Sequence, residues 1–147
     1  MQMKKVLGLA AIAAGALAFT QPAAAQTAAT PCVAGGFTAF FGANSDKLNA
    51  KARAILDKVA NTYRTCGQVQ VVIAGHTDRK GKDSYNVGLS QRMAVSVRNY
   101  LTAQGIPAGS ITTQAFGETR PMVDTPDGKA EPQNRRVEIT FAPGSGW

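Results

Sequence analysis

A run of β-branched residues between two amphipathic segments constrains the fold of this chain more than any other feature. Residues 69–74 read VQVVIA, a pattern typical of a well-buried strand. Over residues 46–64 and again over residues 85–104, apolar side chains recur every three or four positions, which predicts two helices that each bury one face. The alternation of strand and helix therefore indicates a layer of helices packed on a sheet.

Three further segments favour strands, at residues 37–41, 111–116 and 136–141. The last of them alternates apolar and polar residues, as expected of a strand with one face in water. The predicted order of elements is β-α-β-α-β-β. We therefore expect an α+β fold, a two-layer sandwich in which two helices pack on one face of a mixed sheet.

Residues with capping chemistry mark the expected ends of both helices. Asn44 and Ser45 precede the first helix as candidate N-caps, and Asn86 is a plausible N-cap of the second. Gly67 and Gly105 follow the last helical turns, where glycine commonly ends a helix.

The N-terminal sequence predicts export. Lys4 and Lys5 precede an apolar run over residues 6–19, and Ala25 ends a small-residue site, which together are typical of a signal peptide cleaved after Ala25. The run is shorter than the roughly 20 residues of a membrane-spanning helix, and the alternative is a buried N-terminal helix. We expect a signal peptide at 1–25, a flexible lead-in at 26–35, one folded domain at 36–142 and a tail at 143–147.

The charge of the chain limits its partners only broadly. Cleavage after residue 25 would remove two lysines and lower the formal net charge from +7 to +5. A modest positive charge favours anionic partners in general, including cell-wall polymers. We expect no nucleic-acid partner and no transmembrane segment after cleavage.

Cys32 and Cys66 are the only cysteines of the chain. Export would place them where disulfides persist, and closing a loop of about 30 residues would stabilise the fold by roughly 3–4 kcal/mol. Two free buried thiols are the alternative. Because Pro31 precedes Cys32, we do not expect a lipid anchor there. Neither a CxxC redox motif nor a zinc ligand set is present, so no metal or cofactor is predicted.

Four short motifs follow one another along the rest of the chain. They are GHTDxxG from Gly75, NxxLSxRxAxxV from Asn86, AFGExxP from Ala115 and NRRVEI from Asn134. In this order and at this spacing they resemble the OmpA-like C-terminal domain over about residues 36–141. The resemblance implies a periplasmic module, associated with the outer membrane or cell wall, that binds the peptide stem of peptidoglycan non-covalently and is not an enzyme.

The resemblance also implies which residues bind the ligand. In such domains an Asp and an Arg hold the ammonium and the carboxylate of diaminopimelate, and the Asp corresponds to Asp78. Thr77 and Asn86 match flanking polar positions, Asn44 matches a polar residue after the first strand, and Arg135 matches the first Arg of the NRR motif. From the sequence alone, Asp78 could instead cap a turn.

One position departs from the family pattern, which usually reads LSxxRA with the carboxylate-binding Arg directly before Ala. Here the sequence is LSQRMA, so Met93 takes the place of that Arg and Arg92 precedes it. The two positions differ by about 100° around a helix, and a thioether can only fill space. Losing a hydrogen bond to a charged group costs roughly 1.5–3 kcal/mol, or about ten- to a hundredfold in affinity.

Three alternatives follow from Met93. Arg92, Arg79 or Arg135 could reach the carboxylate from another direction, and we include Arg92 among the expected ligand residues. The ligand could carry a neutral, amidated group at that position. Alternatively, the domain has lost wall binding and serves as a protein-interaction module of an envelope or secretion assembly, with an outer-membrane or envelope protein as its partner.

His76 and Arg136 are assigned no role in binding. His76 is the only histidine, and no Ser or Cys nucleophile is identifiable beside it, so catalysis is not expected. Arg136 begins the last predicted strand and is expected to be a solvated charge.

Overall fold

The computed structural model describes residues 35–67 and 69–143. The expected signal peptide, most of the lead-in, Cys32 and residues 144–147 of the tail lie outside the described residues. The elements are β1 (Phe37–Phe40), α1 (Ala50–Cys66), β2 (Val69–His76), α2 (Asp83–Ala103), β3 (Ile111–Ala115) and β4 (Arg136–Pro143), with short 3-10 helices at Ala108–Ser110 and Pro132–Asn134. The predicted order and the α+β class are confirmed.

The sheet is mixed, and its strands lie in the order β1-β4-β2-β3. β4 runs antiparallel to both β1 and β2, whereas β2 and β3 are parallel and joined through α2. Arg136, the first residue of β4, pairs with Phe40 at the end of β1 and with His76 at the end of β2. The loops after β1 and β2 and the loop before β4 therefore meet at one edge of the sheet.

The core lies between the helix layer and one face of the sheet. Val71 and Ile73 of β2 and Val137 and Ile139 of β4 are fully buried there, while Thr140 on the opposite face is exposed. The predicted wet face of the last strand is therefore confirmed at Thr140 but not at Arg136, which lies on the same face and is buried. The helices contribute apolar side chains from their predicted stripes, among them Leu56, Val59, Leu89, Met93, Val97 and Leu101.

Both predicted N-caps are wrong. α1 begins at Ala50, and its N-cap is Asn49, whose side-chain oxygen accepts a hydrogen bond from the Ala52 amide at 2.8 Å. Asn44 instead adopts a left-handed conformation with φ 49°, which asparagine tolerates better than most residues. α2 begins at Asp83, so Asn86 lies inside its first turn rather than at its cap.

Arg136 is not the solvated charge expected from the sequence. It is only 4 % exposed, and its Nε donates a hydrogen bond to the Glu138 carboxylate at 2.8 Å. Its Nη2 donates to the carbonyl of Arg120 at 3.1 Å. Through these hydrogen bonds Arg136 holds the long loop between β3 and β4 against the sheet.

Candidate binding cleft

A cleft with a volume of about 320 Å³ lies at the sheet edge where β1 and β2 end and β4 begins. Its size is at the lower end of the range for small-molecule sites, which suits a group as large as one amino acid better than a polymer. Polar side chains line it together with small and apolar ones: Asn44, Asp78, Lys80, Tyr85, Asn86 and Arg135, with Ala43, Gly81, Leu89 and Ala130.

An ion pair between Asp78 and Arg135 forms part of the cleft wall. Arg135 Nη1 lies 2.9 Å from Asp78 Oδ2, and the two side chains are only 13 % and 10 % exposed. The backbone amides of Lys80 and Glu131 each donate to the Asp78 carboxylate at 3.2 Å. Three donors thus occupy three of about four acceptor positions on the carboxylate, which leaves room for one more.

The amide of Asn86 holds the loop after β2 against α2. Its Nδ2 donates to the carbonyls of Asp78 and Lys80 at 3.3 and 3.2 Å and to the Glu118 carboxylate at 2.7 Å. Asn86 is almost fully buried. The backbone of this loop at Asp78 and Lys80 is therefore held in place before any ligand arrives.

Asn44 and Tyr85 line the cleft on the side of the loop after β1. The Tyr85 hydroxyl donates a hydrogen bond to Oδ1 of Asn44, while the tyrosine ring remains about half exposed. An exposed aromatic ring beside charged groups is able to pack on the aliphatic part of a peptide ligand.

Two of the six expected ligand residues do not line the cleft. Thr77 is buried, and its amide donates to the Gly117 carbonyl at 2.8 Å. Arg92 extends toward Asp46, with 3.5 Å between Nε and Oδ2, and its guanidinium lies over the ring of Tyr85. The structure therefore brings together Asn44, Asp78, Asn86 and Arg135 and leaves Thr77 and Arg92 outside their cleft.

Met93 is part of the hydrophobic core. It is 1 % exposed and packs with Leu89, Val97 and other apolar side chains of the buried cluster. Met93, which stands where the resemblance implies a carboxylate-binding Arg, therefore contributes packing and no charge to the cleft.

Sequence reasoning missed two residues that shape the site. Asn134 is fully buried, accepts hydrogen bonds from the amides of Met122 and Val123 at 2.9 and 2.8 Å, and donates to the Val123 carbonyl at 2.7 Å. It thereby holds the long loop beside Arg135, a role that its place in the NRRVEI motif could have suggested. Lys80 also lines the cleft, but it stands at an unspecified position of the GHTDxxG motif, so the motif does not single it out.

His76 does not line the cleft and lies on the face of the sheet opposite the helices. It is 2 % exposed, and its ring stacks on Phe116 with 5.3 Å between ring centroids. Burial and the charge of Arg136 lower the pKa of His76 from 6.5 to about 4, although Glu138 opposes the shift. The imidazole is therefore neutral at neutral pH.

We expect the fold to lose stability as the pH falls from about 6.5 to about 4, in part because of His76. In this range the unfolded chain binds a proton at this residue that the folded protein does not, so acid favours unfolding by up to about 3 kcal/mol. The imidazole signal of the only histidine, followed by NMR, should titrate near pH 4. A titration midpoint near 6.5 would contradict this account, and His76→Asn should flatten the pH dependence of unfolding.

In the described part of the chain, no three His, Cys, Asp or Glu side chains gather in a way that could hold a metal ion. Nor is any helix within residues 35–67 and 69–143 long and apolar enough to cross a membrane. Cys66 is the last residue of α1, and its pairing with Cys32 stays a prediction because Cys32 is not among the described residues.

The sequence pattern of the OmpA family matches residues 40–135. The peptidoglycan-associated lipoprotein of Pasteurella multocida is 35% identical over 104 residues, which cover 71% of this chain and 69% of that protein. The lipoprotein of the same name from Pseudomonas aeruginosa is 36% identical over 102 residues, which cover 69% of this chain but 60% of that protein. The crystal structure of the peptidoglycan-associated lipoprotein from Burkholderia pseudomallei superposes with a TM-score of 0.67 at 25% identity and covers 72% of this chain and 90% of that one.

Proposed function

Since this chain belongs to the OmpA family, we propose that it is a periplasmic, non-catalytic module that binds peptidoglycan non-covalently through the diaminopimelate of the stem peptide. The Asp78–Arg135 pair beside a cleft of amino-acid size carries this proposal. The names of the relatives in Pasteurella and Pseudomonas, both peptidoglycan-associated, agree with it.

Asp78 is the group that would receive the ligand. Its carboxylate is held by Arg135 and two backbone amides, and one acceptor position remains for an ammonium group. A charge-assisted hydrogen bond of this kind is about twice as strong as a neutral one. Since the carboxylate is already oriented, binding costs little further ordering of the protein.

Asn44, Tyr85 and Asn86 would define the shape of the site around that ammonium. Asn86 fixes the loop after β2, and the linked Asn44 and Tyr85 side chains form another part of the wall. We assign to Thr77 an indirect part, since its amide anchors the start of this loop on Gly117. Arg92 supplies a positive charge near Tyr85 rather than a direct contact.

Co-sedimentation of the purified protein with peptidoglycan sacculi tests this function. We expect the protein to pellet with sacculi at moderate salt and to be displaced by excess soluble stem peptide that contains diaminopimelate. Salt is controlled because the net positive charge, +5 after the expected cleavage, could cause unspecific adsorption. Pelleting that salt removes and the stem peptide does not would contradict the proposal.

One observation favours a second candidate, a protein-interaction module of an envelope assembly. Met93 places an apolar, buried side chain where the family usually has its carboxylate-binding Arg. If the protein stays in the supernatant with sacculi under all salt conditions, this second function becomes the better account.

A further inference from the structure

Because Met93 replaces the usual Arg, another cation is needed to bind the ligand's carboxylate. This need rests on the proposed function, because a diaminopimelate side chain ends in both an ammonium and a carboxylate. Met93 cannot bind that carboxylate, because its side chain is buried and uncharged. The replacement must therefore be a cation that lies at the cleft and is not already neutralised.

Two nearby arginines point elsewhere. Arg79 donates a hydrogen bond to the Thr125 carbonyl, and its Nη1 lies 3.4 Å from the Asp124 carboxylate. Arg92 lies 3.5 Å from Asp46 and over the ring of Tyr85. Neither of them lines the cleft.

Arg135 lines the cleft, but its charge is already engaged. Its Nη1 is paired with Asp78 at 2.9 Å, and its Nε donates to the Phe41 carbonyl at 3.3 Å. Moving Arg135 to a ligand carboxylate would strip Asp78 of its partner at the moment when Asp78 must hold the ligand's ammonium. Arg135 is therefore better suited to orient Asp78 than to bind the carboxylate.

Among the described residues that line the cleft, Lys80 is the remaining cation. Its backbone is fixed on both sides, because its amide donates to Asp78 and its carbonyl accepts from Asn86. Lys80 is exposed and is one of the residues that line the cleft, and within the described residues its ammonium has no hydrogen-bond or ion-pair partner. A flexible ammonium two residues after Asp78 can thus reach the same ligand without breaking an existing contact.

We infer that Lys80 is the residue that binds the ligand's carboxylate, in place of the arginine that Met93 has displaced. Asp78 and Lys80 then form a pair of opposite charges, one fixed and one mobile, that together recognise a zwitterionic amino-acid group. Because the lysine is exposed, this half of the recognition is more sensitive to salt than the buried half.

Two stem peptides and three variants test the inference by calorimetry with the full chain. One peptide carries diaminopimelate with a free side-chain carboxylate, and the other carries the same residue amidated there. Lys80→Ala should weaken binding of the free peptide about tenfold and leave binding of the amidated peptide nearly unchanged. Lys80→Arg should restore affinity for the free peptide.

Lys82→Ala is the matched control, because it removes the same charge only two residues away from Lys80. The side chain of Lys82 makes no capping hydrogen bond, and Lys82 does not line the cleft. Equal effects of Lys80→Ala and Lys82→Ala on the free peptide would overturn the inference, as would equal affinity of the wild type for the two peptides. If the wild type binds neither peptide, the proposed function fails and the inference fails with it.

Discussion

Asp78→Asn is expected to weaken binding of the diaminopimelate stem peptide ten- to a hundredfold or more. The substitution keeps the size of the side chain but removes the charge that would hold the ligand's ammonium, and such a bond contributes roughly 1.5–3 kcal/mol. It also leaves Arg135, which is only 13 % exposed, without its carboxylate. Calorimetry with the free stem peptide measures the loss directly.

A matched substitution separates loss of binding from loss of fold. Asp127 is an exposed aspartate on the long loop between β3 and β4 and lies outside the cleft, so Asp127→Asn removes the same charge. We expect it to bind like the wild type. Circular dichroism should show that Asp78→Asn is still folded at the temperature of the assay. Wild-type affinity in folded Asp78→Asn would remove Asp78 from the site.

Gly75→Ala is expected to destabilise the fold by about 3 kcal/mol or more, the upper end of the cost of overpacking. A Cβ at this position would lie 2.2 Å from the backbone oxygen of Ser90 and 2.9 Å from its carbonyl carbon. Because both contacts are to the backbone of α2, neither can be relieved by a side-chain rotation. The helix would have to move away from β2, and Asn86 would move with it.

Chemical denaturation of Gly75→Ala and the wild type measures this cost. Gly109→Ala is the control, since a Cβ there meets nothing within 4 Å. We expect Gly109→Ala to be neutral or to stabilise by about 0.4–1 kcal/mol, because alanine restricts the unfolded chain more than glycine does. Equal stability of the two variants would show that α2 does not pack as closely on β2 as described.

The sequence was sufficient to predict the order of the elements, because both helices and β4 carry a clear hydrophobic period and β2 carries a run of β-branched residues. The start of α1 was not predictable in the same way. Asn44, Ser45 and Asn49 all have capping chemistry, and only the geometry shows that Asn49 accepts the hydrogen bond from Ala52. Local sequence offers several competing caps, and tertiary packing selects among them.

The gathering of Asp78 and Arg135 could be predicted only through the family motifs. Their contact depends on the antiparallel pairing of β2 with β4, which places the end of one strand beside the start of the other. The directions of the cationic side chains depend on contacts that the motifs do not encode. Arg92 lies close to Asp46, Arg136 is buried under the long loop, and Lys80 is one of the residues that line the cleft.

An NMR titration of the labelled protein with the free diaminopimelate stem peptide tests the central claim most directly. The account predicts that the amide signals of residues around the cleft, among them Asn44, Gly81, Asn86 and Ala130, shift together and saturate. The signals of His76 and Phe116 on the opposite sheet face should stay in place. Shifts confined to that opposite face, or no saturable shift at all, would contradict the assignment of this cleft as a peptidoglycan-binding site.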